Sequence, residues 1–129
     1  MKKPMLLFAI LAVSLQSAAA MDTRMETGLE KLDPQTRLEQ RCDVEAMERI
    51  RKDQNGYNPD KVLAYAFADP KVDQHAIKSR GAAFRSRGEW YHLAFKCATN
   101  DDNMEIVAFK YRIGEKIPRN EWGQHYLVP

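Results

Sequence analysis

Six side chains in the second half of the chain could do chemistry together. Read as strands, Ala82 to Ser86, Glu89 to Thr99 and Met104 to Ile113 alternate in side-chain direction. On one face that alternation collects Arg85, Trp90, His92, Lys96, Lys110 and Arg112, with Ala83, Ala94 and Ala108 as a low floor. Four fixed positive charges, a broad aromatic and no carboxylate suit an anionic or sugar-bearing ligand, held by stacking and charge-assisted hydrogen bonds. Two other readings stand beside this one. The C-terminal segment around Trp122 and Tyr126, or a second subunit, could cover the face, or the face could be merely solvated.

Glu39 and Asp43 are the second candidate, one helical turn apart. Two carboxylates near a core can have their pKa values pushed apart and serve as acid and base. The structural reading has them at the edge of a docked helix face, paired with arginines of the sheet or its loops. His75, His92 and His125 share no metal-ligand spacing, so neither a metal nor a cofactor is expected. No nucleophile elbow, phosphate loop or zinc-protease motif is present. The basic, glycine-punctuated stretch from Lys78 to Gly88 fits no phosphate cradle.

The elements that must position these groups can be read from the same sequence. Asp33-Pro34 is a helix start, an acidic N-cap followed by proline at the first helical position. The helix should run to about Lys52, where Asn55-Gly56 and Asn58-Pro59 stop it. At about 100° per residue, Leu38, Cys42, Ala46, Ile50 and Met47 form one apolar arc, with Arg37, Arg41, Glu45 and Glu48 outside it. Val62 to Ala68 reads as a strand and Lys71 to Arg80 as a loop or short helix. An Arg87-Gly88 turn sets Phe84 opposite Tyr91 and Ala82 opposite Leu93. Tyr91, Leu93, Phe95 and Cys97 then face the core. Val107, Phe109, Tyr111 and Ile113 join them only if the connection has odd length or contains a bulge.

Cys42 and Cys97 are the two cysteines of the chain. One lies on the helix's apolar arc and the other on the sheet's core face, so a disulfide would pin helix to sheet. Two free thiols or a metal site are the alternatives, the latter poor without nearby histidines. The expected fold is α+β: an N-terminal helix on an antiparallel sheet of about four strands, with a short C-terminal helical segment.

The chain has 129 residues and a formal charge of +2, enough for one domain and too balanced for a polycationic nucleic-acid binder. Its charge is nonetheless segregated, with six bases against two acids from Lys71 to Lys96. Residues 1–20 read as a signal peptide: Lys2 and Lys3, an apolar run from Met5 to Leu15, then small residues at Ala18 and Ala20. That apolar run is shorter than the roughly twenty residues a membrane-spanning helix needs. Residues 21–32 are expected as a flexible lead-in and 33–129 as the single domain.

Four strings in order, LDPQTRLEQRCDVEAMERI from Leu32, YNPDKVLAYAFADP from Tyr57, GAAFRSRGEWYHLAFKC from Gly81 and YRIGEKIPRNEW from Tyr111, resemble a family of exported alphaproteobacterial proteins. It is the domain of unknown function numbered nine hundred and thirty. The resemblance implies a periplasmic or secreted location and brings no activity, cofactor or site residue with it. The expected function is a non-enzymatic binding or accessory module of the cell envelope, its partner an envelope protein or an anionic or glycan ligand rather than nucleic acid. A small envelope hydrolase using Glu39 and Asp43, and a structural homo-oligomer, are the alternatives.

Overall fold

The computed structural model describes residues 22–54 and 56–129. The expected signal peptide over residues 1–20, and Asn55 of the expected helix stop, lie outside the described residues. The elements run α1 (Thr23–Glu30), α2 (Pro34–Asp53), β1 (Pro59–Leu63), β2 (Lys71–Val72), β3 (Ala76–Ser86), β4 (Glu89–Thr99), β5 (Ile106–Lys116) and a 3₁₀ helix (Arg119–His125). The class is α+β, as expected.

Helix α2 starts where its sequence says. The Asp33 carboxylate accepts from the Thr36 backbone N–H at 3.1 Å and from the Thr36 hydroxyl at 2.6 Å, with Pro34 in the first turn. Those hydrogen bonds hold the Asp33 carboxyl below its usual range. Leu38, Cys42, Ala46 and Ile50 are the buried residues of α2, and Met47, the fifth of the anticipated arc, is half-buried against the same core.

Thr23–Glu30, within the expected lead-in of residues 21–32, form helix α1. Asp22 caps it by accepting from the Arg24 N–H at 2.9 Å, and Leu29 buries against the fold. Its C-terminal carbonyls are taken by Arg37, whose guanidinium donates to Leu29 O, Glu30 O and Leu32 O at 2.9–3.1 Å. The same group reaches Asp102 O across the molecule at 2.9 Å. A tertiary partner thus supplies what a short isolated helix lacks.

The sheet is antiparallel, in the order β1-β3-β4-β5, with β2 as a fifth strand also paired to β3. Arg87 (φ 51°) and Gly88 (φ 78°) form the two-residue turn, and Phe84 faces Tyr91 and Ala82 faces Leu93 as read. Three expectations change. The strand expected at Val62 to Ala68 ends at Leu63 and begins at Pro59, whose missing N–H costs nothing on an edge strand. Lys71 to Arg80, expected as loop or helix, contains β2 and the first half of β3. A bulge between Ser79 and Ala82 shifts the register and hides the alternation from a period-two reading. At its centre Gly81 has no room for a side chain: a Cβ there would sit 2.6 Å from the Ala68 backbone nitrogen. On β5 a second bulge supplies the parity switch, Ala98 pairing with Ala108 and Thr99 with Ile106. It ejects Val107, which was expected in the core and is 64% exposed, and Ile106 packs inward instead.

The inner face of the sheet packs on α2, and the Cys42–Cys97 disulfide joins the two layers with the α-carbons 6.0 Å apart. A separate apolar cluster of Ala66, Ala83, Trp90, Ile117, Trp122 and Leu127 sits on the outer face.

Candidate functional site: a lysine row on the outer sheet face

The structure divides the six expected site residues. Arg85, Trp90 and His92 lie at the end of the outer face that the C-terminal segment covers. Trp90 is fully buried, and its indole N–H donates to Val128 O at 2.8 Å. Trp122 closes over it, anchored by its own indole bond to Ile117 O at 3.0 Å. Arg85 forms a two-pronged ion pair with Asp60 at 2.9 and 3.0 Å, donates to Pro129 O at 3.0 Å, and stands 5.7 Å from the Trp90 ring centroid. The arginine's hydrogen bonds hold the Asp60 carboxyl below its usual range, and Asp60 in turn raises Arg85. The half-buried His92 ring packs 4.4 Å from the Phe67 ring, which stacks on His125 at 3.8 Å. These three residues are therefore structural, and the cover anticipated as one alternative accounts for them.

Lys96, Lys110 and Arg112 lie at the open end and are exposed. The register adds two residues that the sequence reading left out. Lys71 pairs with Lys78, Lys78 with Lys96, and Lys96 with Lys110. Four strands thus place four lysines side by side in one cross-strand row. A row of alanines, Ala76, Ala98 and Ala108, runs beside it, and Arg112 stands across from Ala94. Among the described residues, none of these cations has an ion-pair partner. Like charges directly opposite each other destabilise a sheet. The electrostatics register this crowding: Lys78 is lowered from its ordinary pKa, first by Lys96, then by Arg80, burial and Lys71.

A groove of about 440 Å³ lies over the row. The four lysines and three alanines line it, and so does Asp73, a carboxylate the sequence reading did not place on this face. Lys71 and Lys78 were missed because strand character was not assigned to Lys71–Arg80. Strand character alone would not have recovered Lys78: counted by two from Ala82 it falls on the core face, and only the bulge between Ser79 and Ala82 turns it outward.

Glu39 and Asp43 do not converge on a cleft. Burial first, and then the Glu39 charge, push the Asp43 carboxyl up to about 8. Glu39 accepts a long 3.4 Å bond from the Gln35 amide. The ion pairs expected with arginines of the sheet or its loops do not form: among the described residues neither Glu39 nor Asp43 has an ion-pair partner. Neither carboxylate lines the groove above or the 510 Å³ cleft near Pro34, His75 and Asn103. His75 has a structural role: its Nδ1 lies 2.8 Å from Asn103 Oδ1. That amide also accepts from Thr99 and donates to Pro34 O, tying the β4–β5 turn to the start of α2.

Among the described residues no cluster of His, Cys, Asp or Glu could hold a metal ion. Among the same residues, no helix is long and apolar enough to cross a membrane. Neither a curated protein nor a solved structure matches the chain. A family model does match, over residues 29–127, a span that contains both sheet faces, both cysteines and all but the last two residues of the covering segment. The chain belongs to the family described as Domain of Unknown Function (DUF930).

Proposed function

We propose that this protein is a non-enzymatic binding or accessory module of the cell envelope, exported to the periplasm or beyond, which holds an anionic partner on the lysine row. The observation that carries this reading is the row itself: Lys71, Lys78, Lys96 and Lys110 stand in register, and among the described residues none of them has an ion-pair partner. A sheet that merely needed solubility would interleave signs. Four like charges in register cost stability that a bound polyanion would return. Location is supported by the leader-like residues 1–20 and by the Cys42–Cys97 disulfide, which suits an oxidising compartment.

Magnitudes constrain the ligand. An exposed ion pair contributes about 0.2–1 kcal/mol. Four together give at most about 4 kcal/mol, which corresponds to millimolar affinity. A small anion on one lysine would therefore bind negligibly, and a partner must engage the whole row and add hydrogen bonds or packing to the ion pairs. The hydrolase alternative has the raised pKa of Asp43 in its favour but lacks a cleft at the pair. An oligomer built on this face would set lysine row against lysine row.

The test is in-cell photo-crosslinking from position 108, with exposed Ala108 beside the row replaced by a photoreactive residue. A discrete adduct with an envelope polymer or protein is the expected result. The reading fails if only intramolecular links form, or if the same adducts arise from Lys52 on the helix layer.

A further inference from the structure

We infer that the ligand is a linear acidic polysaccharide, a chain of carboxylated sugars lying across the strands along the lysine row. This rests on the reading of that row as a binding face and names what it binds. Spacing is the first reason. Neighbouring strands lie about 4.8 Å apart, so the α-carbons of Lys71, Lys78, Lys96 and Lys110 span roughly 14 Å in nearly equal steps. A sugar in a linear chain advances by about one such step, so a polymer with one carboxylate per sugar presents its charges at the pitch of the row. An extended acidic peptide presents same-face side chains about 6.8 Å apart and runs out of register within three lysines.

The flank of the row is the second reason. Ala76, Ala98 and Ala108 leave a shallow floor beside the cations, and the row lines a groove of about 440 Å³, a recess that a planar membrane surface would not fill. Single-stranded nucleic acid needs aromatic platforms for its bases. Trp90 and Trp122 are buried at the other end of the face, and Phe109, which touches the groove, packs into the inner core. The third reason is Asp73. A carboxylate lining a cationic groove opposes a bare polyanion but accepts hydrogen bonds from a ligand that brings hydroxyls with its charges.

The experiment titrates the purified exported protein at low salt with oligogalacturonates from dimer to octamer, and with the uncharged galactose oligomers as control. Affinity should rise with each sugar to about four and then level off, and the uncharged oligomers should not bind. Lys78→Ala with Lys96→Ala should weaken binding roughly tenfold or more, and Lys52→Ala on α2 should leave it unchanged. Circular dichroism of the double variant checks that the sheet persists, since both side chains point to the open face. The log–log salt slope should fall by about one per lysine removed. A plateau already at the dimer, or equal loss in Lys52→Ala, overturns the proposal. Tighter binding of oligothymidylate, or of phosphatidylglycerol vesicles, through the same lysines also overturns it while leaving the row a binding face. No binding to any of these probes overturns both.

Discussion

The two ends of the outer sheet face share strands β3 and β4 and treat cations in opposite ways. At the covered end Arg85 is held by Asp60, by the Pro129 carbonyl and by the Trp90 ring, and the Trp90 N–H has its own acceptor. At the open end four lysines face one another across four strands, and none has an ion-pair partner among the described residues. The difference is one of desolvation. Under the C-terminal segment an unpaired charge or N–H would cost several kcal/mol, so each polar group there is matched. In water the same charges are screened, and the crowding is tolerable. An uncompensated cation row therefore survives only where something other than the protein can reach it.

Several measurements would break or sharpen that contrast. The largest effect belongs to the covered end. Trp90→Ala should cost about 3–5 kcal/mol in urea unfolding, because it empties the outer cluster and strands the Val128 carbonyl. Its effect on oligogalacturonate affinity should stay within twofold. An unchanged midpoint would mean that residues 117–129 do not seal this end.

Both ends share one inner layer, so removing its pin should not distinguish them. Replacing Cys42 and Cys97 with alanine opens a link between positions 55 residues apart and should cost about 4 kcal/mol. Hydrogen exchange should then rise at both ends of β4 together, whereas Trp90→Ala loosens chiefly the covered end.

The pH response should also separate the layers by sign. Asp43 on the helix side is raised from 3.8 to about 8, so the folded state holds its proton more tightly than the unfolded state does. Its contribution is level below about pH 4, becomes increasingly unfavourable from there to about pH 8, and is level beyond. Asp43→Asn should remove that slope. Because Asp43 keeps some solvent contact, the gain at pH 8 is about 2–4 kcal/mol, with none at pH 3. On the open face the sign reverses: Lys78 is lowered, so deprotonation in the alkaline range relieves the row and favours the fold.

The smallest effect lies in the row. Lys96→Thr removes one of the two lysines flanked by lysines on both sides and should raise Tm by about 2 °C at low salt, an increment that vanishes in high salt. The same variant should bind oligogalacturonates more weakly. A residue that is better removed for stability and worse removed for binding is the signature expected of a site.

Much of the frame was legible in local chemistry. The Asp33-Pro34 start, the Leu38–Cys42–Ala46–Ile50 arc, the Arg87-Gly88 turn and the inner-face parity of β4 each depend on a handful of adjacent residues. Helix α1 was not legible, because what closes it is the Arg37 guanidinium from the next helix. The site was half legible. Parity placed Lys96, Lys110 and Arg112 correctly, but it could not say that Trp90 and His92 belong under a cover, since burial of one face by a distant segment leaves no period in the strand. Nor could it reach Lys71 and Lys78 through the bulge between Ser79 and Ala82.

The sequence by itself determined the element types over most of the described chain, the two cysteines' meeting faces and the sidedness of each strand, because caps, turns and alternation are local and carry their own signals. The tertiary structure alone decided where the bulges fall, which end of the outer face is sealed, and that four lysines from four strands stand in one row. Those outcomes depend on register and on long-range packing, where the energy of a contact belongs to pairs of residues far apart in the chain.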